Sequence, residues 1–168
     1  MTRKGQSAME YLMTYGWAIL VIIIVIAVLF YIGVLNPRNV TPSTCTFPPG
    51  LTCASFKLGD GDGILELKIG QATGRSIVVY GFKCTQNVST QANNTITNVS
   101  IGPGESAWVN GPLSPNSIKC TDLTNTNLTA TTSALGESFK GKIWIWYNET
   151  DTGMTRTAVG DLAAKFEQ

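Results

Sequence analysis

Histidine is absent from the 168 residues of this chain, and charged side chains make up only 14% of it. Without histidine, the side chain that ordinarily titrates near neutral pH is missing, and so are the commonest metal ligand and the Ser-His and Cys-His nucleophile pairs. The formal net charge of +1 offers no basic surface for phosphates. The composition therefore predicts that the chain is not an enzyme, has no cofactor or metal site, and does not bind nucleic acid.

A short acidic cluster in the polar part of the chain is a candidate metal site. Asp60 and Asp62, followed by Glu66, resemble the start of a calcium-binding loop. The acid or amide positions of an EF-hand are incomplete here and the spacing from Gly to Glu is wrong, so a turn between strands is the favoured interpretation. A carboxylate pair of this kind also leaves open a weaker alternative, a hydrolytic enzyme tethered by its signal segment.

The cysteines form an even set without the paired Cys-x-x-Cys pattern of a structural zinc site. In an exported domain this favours two disulfides. Proximity along the chain favours Cys45 with Cys53 and Cys84 with Cys120, although other pairings are open and four reduced, buried thiols are the alternative.

Apolar residues are concentrated near the N-terminus. Residues 11–37 contain no charge, and this run exceeds the roughly 20 residues that a membrane-spanning helix needs. A secretory signal would have a shorter apolar region, of about 7–15 residues, followed by a small-residue cleavage site. Pro37 should end the helix near Asn36. Arg3 and Lys4 are the only basic residues ahead of this point and should hold the N-terminus in the cytoplasm, with the bulk of the chain outside.

Between the basic residues and the apolar run lies the segment GQSAMEYL, which resembles the class III signal peptides of archaeal type IV pilins. In these, a basic leader ending in glycine precedes a Gln-Ser-Ala-x-Glu-Tyr-Leu core. The resemblance covers about the first 35 residues, and archaellins, which share the architecture, match this core less well. The matching residues are Gly5, Gln6, Ser7, Ala8, Glu10, Tyr11 and Leu12.

The resemblance implies that a membrane-embedded prepilin peptidase cuts between Gly5 and Gln6 and leaves the apolar helix on the mature protein. It also implies a role for Glu10, which lies one helical turn after the new N-terminus. Its carboxylate would neutralise the ammonium of Gln6, on its own chain or on a neighbouring subunit, and so set the register of assembly. The alternative is an interfacial glutamate on a plain signal anchor, solvated among lipid headgroups.

The rest of the chain has the pattern of short strands separated by turns, and the predicted strands lie in GILELKIG, RSIVVYGFKC, NTITNVSI, ESAWVNG and GKIWIWYNE. Alternation in LELKI and KIWIWY predicts that the leucines and isoleucines face one way, with Trp144 and Trp146 on the opposite face of the last strand. The ending TRTAVGDLAAKF is either a strand or a short closing helix, and we favour a strand over residues 155–159 paired with KIWIWY. The predicted fold is α+β: a leader (residues 1–5), a hydrophobic helix (6–36) and an extracellular antiparallel β-sandwich or barrel (37–168).

Six Asn-x-Ser/Thr triplets lie in the polar part of the chain and are candidate N-glycosylation sites, although an Asn- and Thr-rich chain also produces such triplets by chance. Pro42, just after the first triplet, disfavours that one. An aromatic cluster of Trp144, Trp146 and Tyr147 is either an adhesive, sugar-binding surface or, as we favour, half core and half cross-strand pairs. The candidate asparagines are Asn39, Asn87, Asn93, Asn98, Asn127 and Asn148.

Together these features predict a structural subunit of an archaeal type IV pilus, inserted in the membrane before assembly and part of an adhesive surface filament afterwards. The expected partners are copies of the same chain in a helical homopolymer, the prepilin peptidase and the pilus assembly machinery of the membrane. The alternative is a monomeric, membrane-anchored extracellular binding protein with a pilin-like leader. Polymerisation distinguishes the two.

Overall fold

The computed structural model of the chain describes residues 3–32, 42–89, 94–129 and 135–168. The chain divides into two compact units, Met1–Val40 and Thr41–Gln168. Among the described residues, the first unit contains one helix and the second contains strands and turns. The elements are α1 (Arg3–Tyr31), β1 (Thr44–Thr46), β2 (Leu51–Gly59), β3 (Leu65–Gln71), β4 (Ile77–Thr85), β5 (Thr95–Ile101), β6 (Ser106–Asn110), β7 (Ser138–Glu149) and β8 (Thr155–Glu167).

Helix α1 is about 44 Å long at 1.5 Å per residue. Its segment Met9–Tyr31 is long and apolar enough to cross a membrane, and its described side chains are almost all exposed. An apolar helix at this position is consistent with membrane insertion or secretion. The predicted end of the helix at Asn36 and Pro37 lies outside the described residues.

The strands form a single sheet in the order β5-β4-β7-β8-β2-β3-β6, with β1 on the side of β8. Its longest pairing is the antiparallel hairpin of β7 and β8, which runs in register from Ser138 opposite Lys165 to Asn148 opposite Thr155. Neighbouring strands are antiparallel, apart from a short parallel pairing of β2 with the end of β8. The predicted strand at residues 155–159 is thus confirmed, and it continues to Glu167 where a closing helix was the alternative.

The core follows from the alternation of apolar residues. On β3 and β7 the predicted apolar face points inward, and the two tryptophans of β7 lie on the outer face. This confirms the predicted sidedness of both strands. The fully buried side chains of this face are Leu65, Leu67, Ile69, Ile143 and Ile145.

Two disulfides cross-link the strands. Cys45–Cys53 joins β1 to β2 with a Cα–Cα distance of 6.0 Å. Cys84–Cys120 joins β4 to the segment after β6, with a Cα–Cα distance of 4.5 Å, and both of its cysteines are buried. The favoured pairing is therefore confirmed, and none of the four thiols is free.

The sheet is nearly closed into a barrel, and Asn116 joins its two edge strands. The side chain accepts a hydrogen bond from the backbone N of Thr97 on β5 (2.8 Å) and donates to the Thr97 carbonyl (3.1 Å). It also donates to the carbonyl of Val109 on β6 (3.1 Å). A buried amide thus takes the place of a strand pairing, and both edges are covered at this point.

Candidate functional site

The first candidate region is the N-terminal turn of the exposed part of α1. Glu10 is exposed, and its carboxylate makes no ion pair with any residue that the structure describes. Thr14, one turn later, places its hydroxyl 2.8 Å from the carbonyl of Glu10 and 3.2 Å from that of Tyr11, so it satisfies itself within the helix. Glu10 is the one carboxylate in the sequence of α1.

Two tyrosines beside Glu10 lie one helical turn apart and so face each other. Tyr11 and Tyr15 stack with ring centroids 5.7 Å apart and an angle of 16° between the rings. Gly5 and Gln6, the residues of the predicted cleavage site, both lie within α1. Their side chains are outside the described part of the structure, so the distance from Gln6 to Glu10 rests on the helical spacing alone.

A second polar cluster lies at the β7–β8 turn, and no local sequence pattern predicts it. Glu149 is buried, and its carboxylate forms ion pairs with Arg75 (N–O distance 3.3 Å) and Arg156 (2.5 Å). The carboxylate also accepts a hydrogen bond from the hydroxyl of Thr152 (3.0 Å). Burial opposes ionisation of Glu149, but the hydrogen bond from Thr152 and the two guanidinium groups outweigh it and lower the pKa of this carboxyl. The arrangement holds β7, β8 and the turn between β3 and β4 together, so it is a structural ion-pair cluster.

The acidic turn that resembled a calcium loop connects β2 to β3. Asp62 donates its backbone N–H to the Asp60 carbonyl at 2.8 Å, and Asp60 donates its own N–H to the carbonyl of Glu167 at 3.0 Å. No group of three acidic or sulfur ligands that could hold a metal occurs among the described residues. The segment is a turn, as the sequence favoured.

The candidate glycosylation sites differ in exposure. Asn98 and Asn127 are exposed, whereas Asn87 and Asn148 are half-buried. Asn87 also uses its amide nitrogen to donate to the carbonyl of Leu123 at 2.9 Å. The other two triplets, at Asn39 and Asn93, lie outside the described residues.

The aromatic cluster of β7 divides between the two faces of the sheet. Tyr147 is only 7% exposed and belongs to the core. Trp144 and Trp146 lie half-buried on the outer face, stacked with centroids 6.2 Å apart and an angle of 18° between the rings. The pair presents one flat aromatic surface, which is smaller than a three-residue patch because Tyr147 points the other way.

No protein-family model, curated protein or solved structure matches this chain. The features of the chain that point to a function are therefore the sequence pattern around Glu10 and the exposed apolar helix. The barrel contributes a stable, disulfide-linked body.

Proposed function

We propose that this chain is a structural subunit of an archaeal type IV pilus, which polymerises through α1 into an extracellular filament. The observation that carries this proposal is a single carboxylate, Glu10, at the head of a long helix whose apolar side chains are exposed all around. The prepilin-like segment GQSAMEYL stands at that same head. A plain membrane anchor needs the apolar helix but has no need of the carboxylate.

The apolar side chains of α1 could be covered in either of two environments. A helix that is apolar on every side must be covered, either by lipid or by other helices. Lipid covers it before assembly, and copies of α1 would cover it in a filament. Transfer from one to the other exposes no new apolar surface to water, so the same segment serves as anchor and as filament core.

The carboxylate is unfavourable in both environments unless it is paired. Placing an isolated charge among apolar helices carries a large desolvation penalty. Cleavage before Gln6 would create an ammonium four residues from Glu10, and an ammonium of a neighbouring subunit would be an equally good partner. The ion pair between this carboxylate and the neighbouring ammonium would form at one axial position of the neighbouring helix. That position would set the register between subunits.

The barrel suits the outer layer of such a filament. Its two disulfides require an oxidising compartment, which agrees with an extracellular location. Its two edge strands are joined through Asn116, so they are protected from pairing with neighbours in an uncontrolled way. We infer surface attachment as the purpose of the filament.

The test is mass spectrometry of sheared surface filaments from the native cell. A peptide that begins at Gln6 within filaments would support both cleavage and polymerisation. The chain found only in membranes, beginning at Met1 or Thr2, would instead support the monomeric anchored protein and overturn the proposal.

A variant test addresses Glu10 directly. Glu10→Ala should leave cleavage intact and strongly reduce filament yield, because the unpaired ammonium that remains would cost roughly 3–5 kcal/mol per subunit. Glu10→Asp should restore part of the yield. Thr14→Ala is the matched control, since its hydroxyl bonds only within its own helix. Abundant filaments from Glu10→Ala would remove the role assigned to this residue.

A further inference from the structure

One of the candidate glycosylation triplets lies directly beside the outer tryptophans of β7. The local sequence is Trp146-Tyr147-Asn148-Glu149-Thr150, so an aromatic residue stands two positions before the asparagine. Residues two apart on a strand share a face and are separated by about 6.6 Å. None of the other five triplets has an aromatic residue two positions before its asparagine.

Trp146 is half-buried, and its two directly paired cross-strand partners are small. Its partner on β4 is Gly81, which has no side chain, and its partner on β8 is Thr157, which is small and exposed. Trp144 extends the same surface along the strand, nearly parallel to Trp146. A flat, half-buried pair of aromatic rings therefore lies on the same face as Asn148.

The same face also carries polar atoms without partners. Trp144 Nε1 and Asn148 Oδ1 are buried and make no hydrogen bond with any residue that the structure describes. Asn148 Nδ2, the atom that would carry a sugar, is not one of these buried atoms. Buried polar atoms normally have partners, so these two atoms are exceptions among the described residues.

We propose that Asn148 carries an N-linked glycan and that the glycan lies back along β7 and covers Trp146. A pyranose ring has an apolar face of C–H groups that fits an aromatic ring, and its hydroxyls both donate and accept hydrogen bonds. The glycan thus serves as a covalent part of the outer face of the barrel. This inference rests on the export that the proposed function requires.

The attachment step is a simple substitution. The amide nitrogen of Asn148 forms a bond to the anomeric carbon of a sugar carried on a lipid phosphate or diphosphate. The bond from that carbon to the phosphate oxygen breaks, the lipid phosphate leaves with the bonding electrons, and the amide loses one proton. No oxidant or reductant is needed.

The exposed triplets provide the contrast. Two residues before Asn98 is Ile96, which is buried, and two before Asn127 is Asn125. Glycans on Asn98 or Asn127 would project into solvent without an aromatic surface to lie on. Asn148 therefore differs from them in the conformation of its glycan.

The experiment combines glycopeptide mass spectrometry with hydroxyl-radical footprinting of the full chain from its native host. Wild type should carry a glycan at Asn148 and show low oxidation of Trp146. Asn148→Gln and Thr150→Ala both remove the triplet and should both lose that protection. Thr150→Ser keeps the triplet and the hydroxyl that bonds to the Ser76 carbonyl, so it should remain protected. Trp108, on β6, is the internal reference.

Asn98→Gln is the matched control, which should lose its own glycan without changing Trp146. An unmodified Asn148 in wild type would overturn the proposal, and so would equal oxidation of Trp146 in wild type and Asn148→Gln. Protection of Trp146 in the unglycosylated variant by an added polysaccharide would also overturn it, since the surface would then bind free sugars. A glycan at Asn148 on a membrane-bound monomer would support this inference and contradict the filament proposal. Filaments in which Asn148 is unmodified would support the filament proposal and contradict this inference.

Discussion

At the scale of single residues, Glu149 is the side chain whose protonation should matter most to the barrel. Its folded-state pKa is lowered, with burial opposing the shift and Thr152, Arg156 and Arg75 outweighing it. A lowered pKa gives stability that is fully present above the unfolded value, near 4.5, and is lost as pH falls through the folded value. We therefore expect constant stability from pH 7 to about 5 from this group and a decline below pH 4.5.

The measurement is urea unfolding of wild type and Glu149→Gln from pH 7 to pH 3. The variant should be less stable at pH 7, because Arg75 and Arg156 lose their anionic partner, and its decline at low pH should be smaller. Glu105→Gln is the control, since Glu105 is exposed and makes no ion pair among the described residues. Parallel pH profiles for wild type and Glu149→Gln would contradict the assignment.

The residues of the outer aromatic face show what the sequence could predict and where it stopped. The period of two along KIWIWY was enough to place Trp144 and Trp146 opposite the core isoleucines. It also implies that Tyr147 is on the core side, as the structure has it. The same pattern has no information on cross-strand partners, so it could not show that Gly81 lies beside Trp146.

Asparagine 116 was beyond prediction for a different reason. It lies in the segment GPLSPNS, whose composition indicates a turn and is typical of exposed residues. Only the closure of the sheet, which brings β5 and β6 together, buries its amide between them. A long-range contact of this kind leaves no signal in local periodicity.

At the scale of elements, the amide of Asn116 links β5 to β6 by hydrogen bonds to both strands. Asn116→Ala would leave the backbone groups of Thr97 and Val109 without their partner, which should cost about 2–3 kcal/mol of the free energy of unfolding. Hydrogen exchange should become faster in β5 and β6 and stay unchanged in the β7–β8 hairpin. Ser117→Ala, exposed and next in sequence, is the control. Uniform destabilisation without faster local exchange would contradict a joint at this point.

The two disulfides should differ in both stability and accessibility. Chain entropy predicts that loss of Cys84–Cys120, which closes a loop of separation 36, costs about 4 kcal/mol. Loss of Cys45–Cys53, of separation 8, should cost about 2.5 kcal/mol. The Cys84 and Cys120 sulfurs are buried, whereas Cys45 and Cys53 are only partly so.

Mild reduction followed by alkylation and peptide mass spectrometry checks this order. Cys45 and Cys53 should be labelled while the barrel remains folded, and Cys84 and Cys120 only when urea unfolds it. Double Cys→Ala variants of each pair, compared by urea unfolding, give the two energies. Labelling of Cys84 in the folded barrel would show that its burial does not protect it.

The strands themselves were predicted unevenly. The runs that became β3, β4, β5, β6 and β7 have clear periods or β-branched residues between turn signals. The runs that became β1 and β2 were not identified as strands. Pro48 and Pro49 separate them, and an irregularity in the pairing between Cys53 and Ser55 breaks the alternation of β2. The disulfide between β1 and β2 was therefore predictable from spacing even though the strands it joins were not.

At the scale of the whole molecule, the two units differ in how much of their apolar surface they bury themselves. The barrel buries its own core, and the described part of α1 buries almost nothing within the chain. The sequence indicates this difference between the units, because hydrophobic residues are concentrated in the first 35 positions. The described side chains of α1 are almost all exposed, so the sequence pattern around Glu10 is the main guide to what covers them.

This separation predicts the behaviour of the barrel without its helix. A fragment of residues 42–168 should be a soluble, cooperatively folded monomer, because its core and both disulfides lie within those residues. Size-exclusion chromatography and near-UV circular dichroism in detergent-free buffer test this. The fragment should not join filaments when added to cells that make the full chain, since assembly depends on α1. A fragment that forms filaments alone would show that barrel contacts drive polymerisation, whereas an unfolded one would show that the barrel needs its helix.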